Sequence, residues 1–245
     1  MITIKSPQEI KIMKEAGEIG AAAMKAALET AKEGITTLEI EKVVEKVILE
    51  RGATAGFKTV KNYDFASCIN LNDGIVHGIP KEYALKQGDL VSIDLGAYYR
   101  GYHSDLAYTL EVGTNNEAEF LDVGKKALEQ AISACVVGNR LGDISNAIQS
   151  VVEGGGCSVS RDLVGHGIGT ILHEAPQIAG YGKAGTGPFL KEGMVFAIEV
   201  IYQKGVSDLV VDEDGWTLKT ADGSLSGLFE HVVAITAGGP LVLTH

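Results

Sequence analysis

Five residues of this chain have the types and settings that bind cations: Asp94, Asp105, His166, Glu199 and Glu230. Glu199 interrupts an apolar run, with Met194 to Ile198 before it and Val200-Ile201 after it, and Glu230 does the same between Leu228-Phe229 and Val232-Val233. Asp94 and Asp105 lie on the two arms of LVSIDLGAYYRGYHSDLAYTLEV, a β-branched and aromatic stretch that reads as a β-hairpin. If its turn centres on Tyr99 and Arg100, the two aspartates are directly opposed, with Cβ atoms about 5 Å apart. Carboxylates so placed repel one another unless something positive lies between them. Solvated hairpin charges or internal salt bridges are the plainer explanations, but no matching lysine or arginine lies inside these strands. A pair of divalent cations supplies the missing charge, since two-metal hydrolases hold their ions about 3.5–4 Å apart.

His166 stands in Gly165-His166-Gly167-Ile168-Gly169, where the glycines let backbone come close to a ligand and leave the imidazole accessible. An imidazole among carboxylates suits Zn, Mn, Fe or Co better than the all-oxygen shells of Ca or Mg. His173 follows seven residues later, too far for the helical H-E-x-x-H zinc pattern, and is assigned to face the substrate. The chain has no G-x-S-x-G and no P-loop, and Thr170 spoils a G-x-G-x-x-G, so serine-hydrolase and nucleotide readings lose their support.

These side chains need a scaffold. Ser6, Pro7 and Glu9 form a capping box with proline in the first turn, predicting a helix to about Lys32; Thr36 with Glu39 predicts a second, ending at Gly52. After the hairpin, Thr114 with Glu117 predicts a third helix to about Val136, and a fourth runs from Leu141 to about Val152. From about Gly156 the chain turns strand-rich, with apolar runs at 194–202, 209–211 and 228–235. With no Pro/Ser linker and no repeat, this reads as one α+β domain over residues 1–245 whose halves share a sheet.

The bulk numbers narrow the function. A net charge of −11 argues against a general nucleic-acid surface, and four carboxylates around two dications would account for part of it. No apolar stretch approaches the roughly 18 residues of a membrane span, and charges interrupt every apolar run of the N-terminus, so a cytoplasmic protein is expected. Cys68, Cys135 and Cys157 have no C-x-x-C spacing and read as reduced thiols.

The ordered motifs resemble the type I methionine aminopeptidase family: HGIP at 77–80, IDLGAYYRGYHSD at 93–105, GHGIG with HEAP between 165 and 176, GMVFAIE at 193–199 and DGWTLKTADGSLSGLFEH at 214–231. That resemblance spans nearly the whole chain and implies the pita-bread fold, a pseudo-twofold antiparallel sheet covered by helices. It implies that Asp94 chelates one of two divalent ions, that Asp105 and Glu230 bridge both, and that His166 and Glu199 complete the second site. Glu199 would also take a proton from the attacking water, His173 would serve the oxyanion, and His77 would hold the substrate's amide nitrogen. Cys68, Tyr63 and Trp216 would line the methionine side-chain pocket. The implied substrates are the N-termini of nascent proteins with a small second residue, met by a monomer, with the ribosome a candidate contact. Val200, where the family usually has proline, and Leu172, where an aromatic residue is common, depart from the pattern and put pocket shape in question. Competing readings are an Xaa-Pro peptidase of the same fold and a catalytically silent binding protein.

Overall fold

The computed structural model describes residues 2–245. In chain order the elements are α1 (Pro7–Thr30), α2 (Thr37–Glu50), β1 (Thr54–Ala55), a 3-10 turn (Gly56–Thr59), β2 (Ser67–Leu71), β3 (Gly74–Val76), β4 (Leu90–Leu95), β5 (Ala97–Tyr99), β6 (Tyr102–His103), β7 (Leu106–Glu111), α3 (Ala118–Ser133), α4 (Leu141–Gly154), β8 (Ser158–Val159), β9 (Val164–Gly167), β10 (Glu174–Ala179), β11 (Val195–Gln203), β12 (Leu209–Val211), β13 (Leu218–Thr220), β14 (Ser226–Thr236) and β15 (Gly239–Val242). The capping boxes at Ser6/Glu9 and Thr36/Glu39 both form, each hydroxyl accepting from the N3 amide and each glutamate reaching back to the cap. Thr114 does not cap α3. Its hydroxyl and the amides of Asn116 and Glu117 bond to the Glu111 carboxylate instead, so the connection stays a turn and the helix starts at Ala118.

A nine-stranded sheet runs in the order β10-β9-β11-β14-β7-β4-β2, with β15 on β14 and β8 on β11. Its pairings are antiparallel, and β1-β5-β6 and β12-β13-β3 form two small flanking sheets. Period-2 alternation divides the strand residues between two faces. On one face α1 and α2 pack Ile19, Ala23, Ile40, Val44 and Ile48 against Val91, Ile93 and Leu95, while α3 and α4 cover Phe196, Ile198, Val200, Phe229 and Val233. Each such aliphatic side chain contributes roughly 1.5–3 kcal/mol over leaving it exposed. Helix α3 sits unusually close: a Cβ on Gly124 would lie 2.5 Å from the Phe229 ring and 2.6 Å from that of Tyr202. Thus the helices lie on one side, and the alternate residues of the same strands face the other. Among the described residues no helix is long and apolar enough to cross a membrane.

The hairpin's register differs from the expected one. Tyr98 pairs with His103 and Tyr99 with Tyr102, so the turn is Arg100-Gly101, with φ values of 50° and 92°. Two successive residues in the left-handed region mark a primed turn, which matches the strands' twist. Asp94 therefore pairs with Ala107, and Asp105 lies two residues before that partner, diagonal rather than directly opposed. The hairpin also breaks at Gly96, where a Cβ would stand 2.2 Å from the Ser104 carbonyl oxygen; its outer half joins β1.

Candidate active site

One transverse row crosses five strands. Cys68 of β2 lies opposite Asp94 of β4, Asp94 opposite Ala107 of β7, Ala107 opposite Glu230 of β14, and Glu230 opposite Glu199 of β11. Direct partners share a face, so three carboxylates and a thiol project together from the side away from the helices. His166 on β9 is opposite Ala197, two residues before Glu199, and Asp105 immediately precedes β7. Together these placements bring the His166 Nε2 within 3.3 Å of Glu199 Oε1 and 3.7 Å of Asp105 Oδ2. Asp105, His166 and Glu230 each offer a ligand atom within 4.8 Å of the others.

Burial makes this cluster electrostatically costly. Asp105 and Glu230 are buried, and Asp94 Oδ1, Asp105 Oδ1 and Glu230 Oε1 lack hydrogen-bond partners. Loss of solvent pushes the Asp94 carboxyl up to about 7. Asp105, Glu199 and Glu230 are raised well above the usual carboxylate range, first by burial and then by mutual repulsion. Among the described residues no lysine or arginine ion pair reaches any of the four; the nitrogen base within 4 Å of Asp105 and Glu199 is His166. Its Nδ1 is 2.9 Å from the Gly167 carbonyl, which can only accept, so Nδ1 carries the proton and Nε2 keeps a lone pair facing the acids. Burial, then His173, lowers the His166 imidazole to about 4, holding it neutral at physiological pH. Four carboxylates, three of them with orphaned buried oxygens, and one neutral imidazole are a donor set that fits divalent transition-metal ions.

The cluster floors a cavity of about 230 Å³, and the other five side chains named from sequence, Tyr63, Cys68, His77, His173 and Trp216, line it too. His77 reaches it from a left-handed backbone, φ 60°, an uncommon conformation of the kind that clusters at functional sites. His173 stands edge-on to His166, with ring centroids 4.4 Å apart. Burial lowers both His77 and His173, favouring their neutral forms. Tyr63 donates to the Ser67 carbonyl at 2.8 Å and meets Trp216 edge-on, centroids 5.2 Å apart, which braces one apolar wall. Phe57, Val60, Leu163 and Ile201 complete the walls with Leu172. None of those four was singled out from sequence. Ile201 could have been, because it shares the face of Glu199 two residues away, whereas Phe57 and Val60 carry no local signal. His103 is buried, and its amide donates to the Gly169 carbonyl at 2.9 Å. It lines a neighbouring cavity shared with His173.

Comparison with known proteins places this geometry. Residues 11–237 match the metallopeptidase family M24. The chain belongs to that family. It is 43% identical over 246 residues to a methionine aminopeptidase of Clostridium perfringens and 42% identical to methionine aminopeptidase 1 of Bacillus subtilis, in each case over 100% of this chain and 99% of the relative. A crystal structure of methionine aminopeptidase from Thermotoga maritima superposes with a TM-score of 0.97 at 42% identity, covering 100% of this chain and 99% of that one. Prolidase from Pyrococcus furiosus superposes at 0.79 with 29% identity, over 99% of this chain and 65% of that longer chain. The α+β architecture is thus the pita-bread fold, and the M24 chain is a metal-dependent peptidase with its carboxylate and imidazole cluster at the heart of the sheet.

Proposed function

We propose that this chain removes the N-terminal methionine from nascent polypeptides whose second residue is small, working in the cytoplasm as a monomer with two divalent cations drawn from Co, Mn, Fe or Zn. The observation that carries the reading is the convergence of Asp94, Asp105, His166, Glu199 and Glu230 on one face beneath a cavity walled by Tyr63, Cys68 and Trp216. Asp94 would hold one ion, His166 and Glu199 the other, and Asp105 and Glu230 both; four negative charges balance two dications. When bound, such ions supply Lewis acidity, lowering the pKa of water and polarising a carbonyl.

The chain's own groups do the rest. Glu199, at the margin of the cluster, accepts the proton of the attacking water. His173, neutral and able to donate, stabilises the oxyanion, and His77 holds the scissile amide nitrogen. Cys68, Tyr63 and Trp216 favour an unbranched thioether, since sulfur packs well on sulfur and on aromatic edges. The test is cleavage of Met-Ala-Ser peptides by protein loaded with Mn, Fe or Co. Release of free methionine is expected, together with faster turnover than on Xaa-Pro peptides; inactivity with all three metals would sink the reading. Faster Xaa-Pro cleavage would favour a prolidase-like activity instead, and loading that leaves no bound ion would favour a silent binding protein.

A further inference from the structure

The ring of His173 packs on His166 at 4.4 Å, and among the described residues no side-chain hydrogen bond orients it. Its aim therefore depends on the backbone that carries it. That backbone is tied down by the next residue. Glu174 Oε2 accepts from Lys5 Nζ at 2.7 Å and from Thr3 Oγ1 at 2.6 Å, and Glu174 Oε1 accepts from the Ile171 amide at 3.4 Å. Lys5 is only 6% exposed and the Glu174 side chain 10%. Lys5 is itself fixed through its amide, which donates to the Gly193 carbonyl at 2.7 Å. The loop closes tightly on this pair: a Cβ on Gly169 would fall 2.5 Å from Glu174 Oε1 and 2.8 Å from Lys5 Cε. At the loop's other end the Gly169 carbonyl is held by the His103 amide.

A nearly buried ion pair is a poor device for stability alone, because desolvating both charges cancels much of their attraction, and two apolar residues of similar volume would serve as well. What it adds is direction. We propose that Lys5, acting through Glu174, is a positioning residue that sets the aim of His173 into the catalytic cavity. The inference rests on the reading of His173 as the oxyanion's donor.

A double-mutant cycle tests it on the metal-loaded full chain with Met-Ala-Ser as substrate. Lys5→Met should lower kcat roughly tenfold, the scale of loss expected from slight misplacement of a catalytic group. KM and the number of bound ions should stay within about twofold, and Lys5→Arg should restore most of the rate. In a His173→Ala background, Lys5→Met should cost less than about twofold, because its effect has lost its target. Glu174→Gln, which keeps size and shape, should repeat the pattern if Lys5→Met proves too unstable to assay. An equal loss in both backgrounds, or no loss in the His173 background of the natural chain, overturns the positioning role while leaving the proposed activity intact. Full turnover by His173→Ala alone overturns both the role of His173 and this inference.

Discussion

Stripping the metal should make stability fall with rising pH just above neutrality. In the folded, metal-free chain Asp94 is raised from 3.8 to about 7, and Asp105, Glu199 and Glu230 are raised well above their usual range. The unfolded chain ionises all four near pH 4, so from there up to their folded values the folded state holds more protons and loses stability as pH rises. Five histidines work in the opposite sense, His77, His173 and His231 being lowered along with His103 and His166. His166 and His103 are lowered to about 4 from 6.5, so the folded state binds fewer protons over that interval and gains stability with pH, which offsets the carboxyls. By about pH 7.5 the unfolded imidazoles are neutral and Asp94 is largely ionised, leaving the other three carboxyls. Each that remains protonated in the folded state contributes a slope of about −1.4 kcal/mol per pH unit. For a 245-residue chain that is a Tm decline of about 3–6 °C per carboxyl between pH 7.5 and 8.5. Calorimetry of chelator-treated protein, with a Mn-reloaded sample alongside, measures it; the reloaded curve should be nearly flat. A metal-free Tm that stays constant or rises across that interval would refute the electrostatic account, and Glu230→Gln should remove about one carboxyl's share of the slope.

Asp105→Asn should weaken the binding of both ions, and titration calorimetry with Mn showing two unaltered sites would contradict the bridging role. Thr109→Val should cost about 1–3 kcal/mol in urea unfolding, because the Thr109 hydroxyl both donates to the Leu228 carbonyl and accepts from the Leu228 amide, each at 2.9 Å, and valine strands both groups. A change below about 0.5 kcal/mol would show that water replaces the hydroxyl there. Trp216→Ala should raise KM for methionyl peptides several-fold with little change in kcat, since the lost contact is made alike in ground and transition states. A drop in kcat with KM unchanged would place Trp216 at the reacting centre instead.

Much of the architecture follows from local rules. Ser6 with Glu9 and Thr36 with Glu39 announce their helices because every partner lies within one turn. Thr114 has the same spacing to Glu117, yet Glu111, three residues upstream at the end of β7, captures its hydroxyl; of two equally local partners the upstream one wins. The hairpin register differs from the expected one because Arg100 adopts a positive φ beside Gly101 and the two form the turn, one residue beyond a turn centred on Tyr99 and Arg100. The error is even in residue number, so Asp94 and Asp105 still reach the same cavity. Carboxylates interrupting apolar strands announced that Glu199 and Glu230 are costly, but not that they stand opposite each other, since pairing between residues 199 and 230 depends on how β11 and β14 dock. The tie from Lys5 to Glu174 joins residues 169 apart and leaves no trace in local pattern.

The ladder joining β7 to β14 contains two register pairs, Glu230 with Ala107 and His231 with Leu106, and beyond it Thr109 supplies side-chain bonds in place of backbone ones. The first half of the chain, built on α1, α2 and the β4–β7 hairpin, thus meets the second across this short ladder as well as through the pairing of β3 with β13, and the proposed cation ligands sit astride the ladder: Asp94 and Asp105 on one bank, His166, Glu199 and Glu230 on the other. An ion gripped from both banks acts as a rivet. It could seat only once the two banks have met, so occupancy would report that this ladder is closed, and removing the ion should loosen the ladder before it loosens either half.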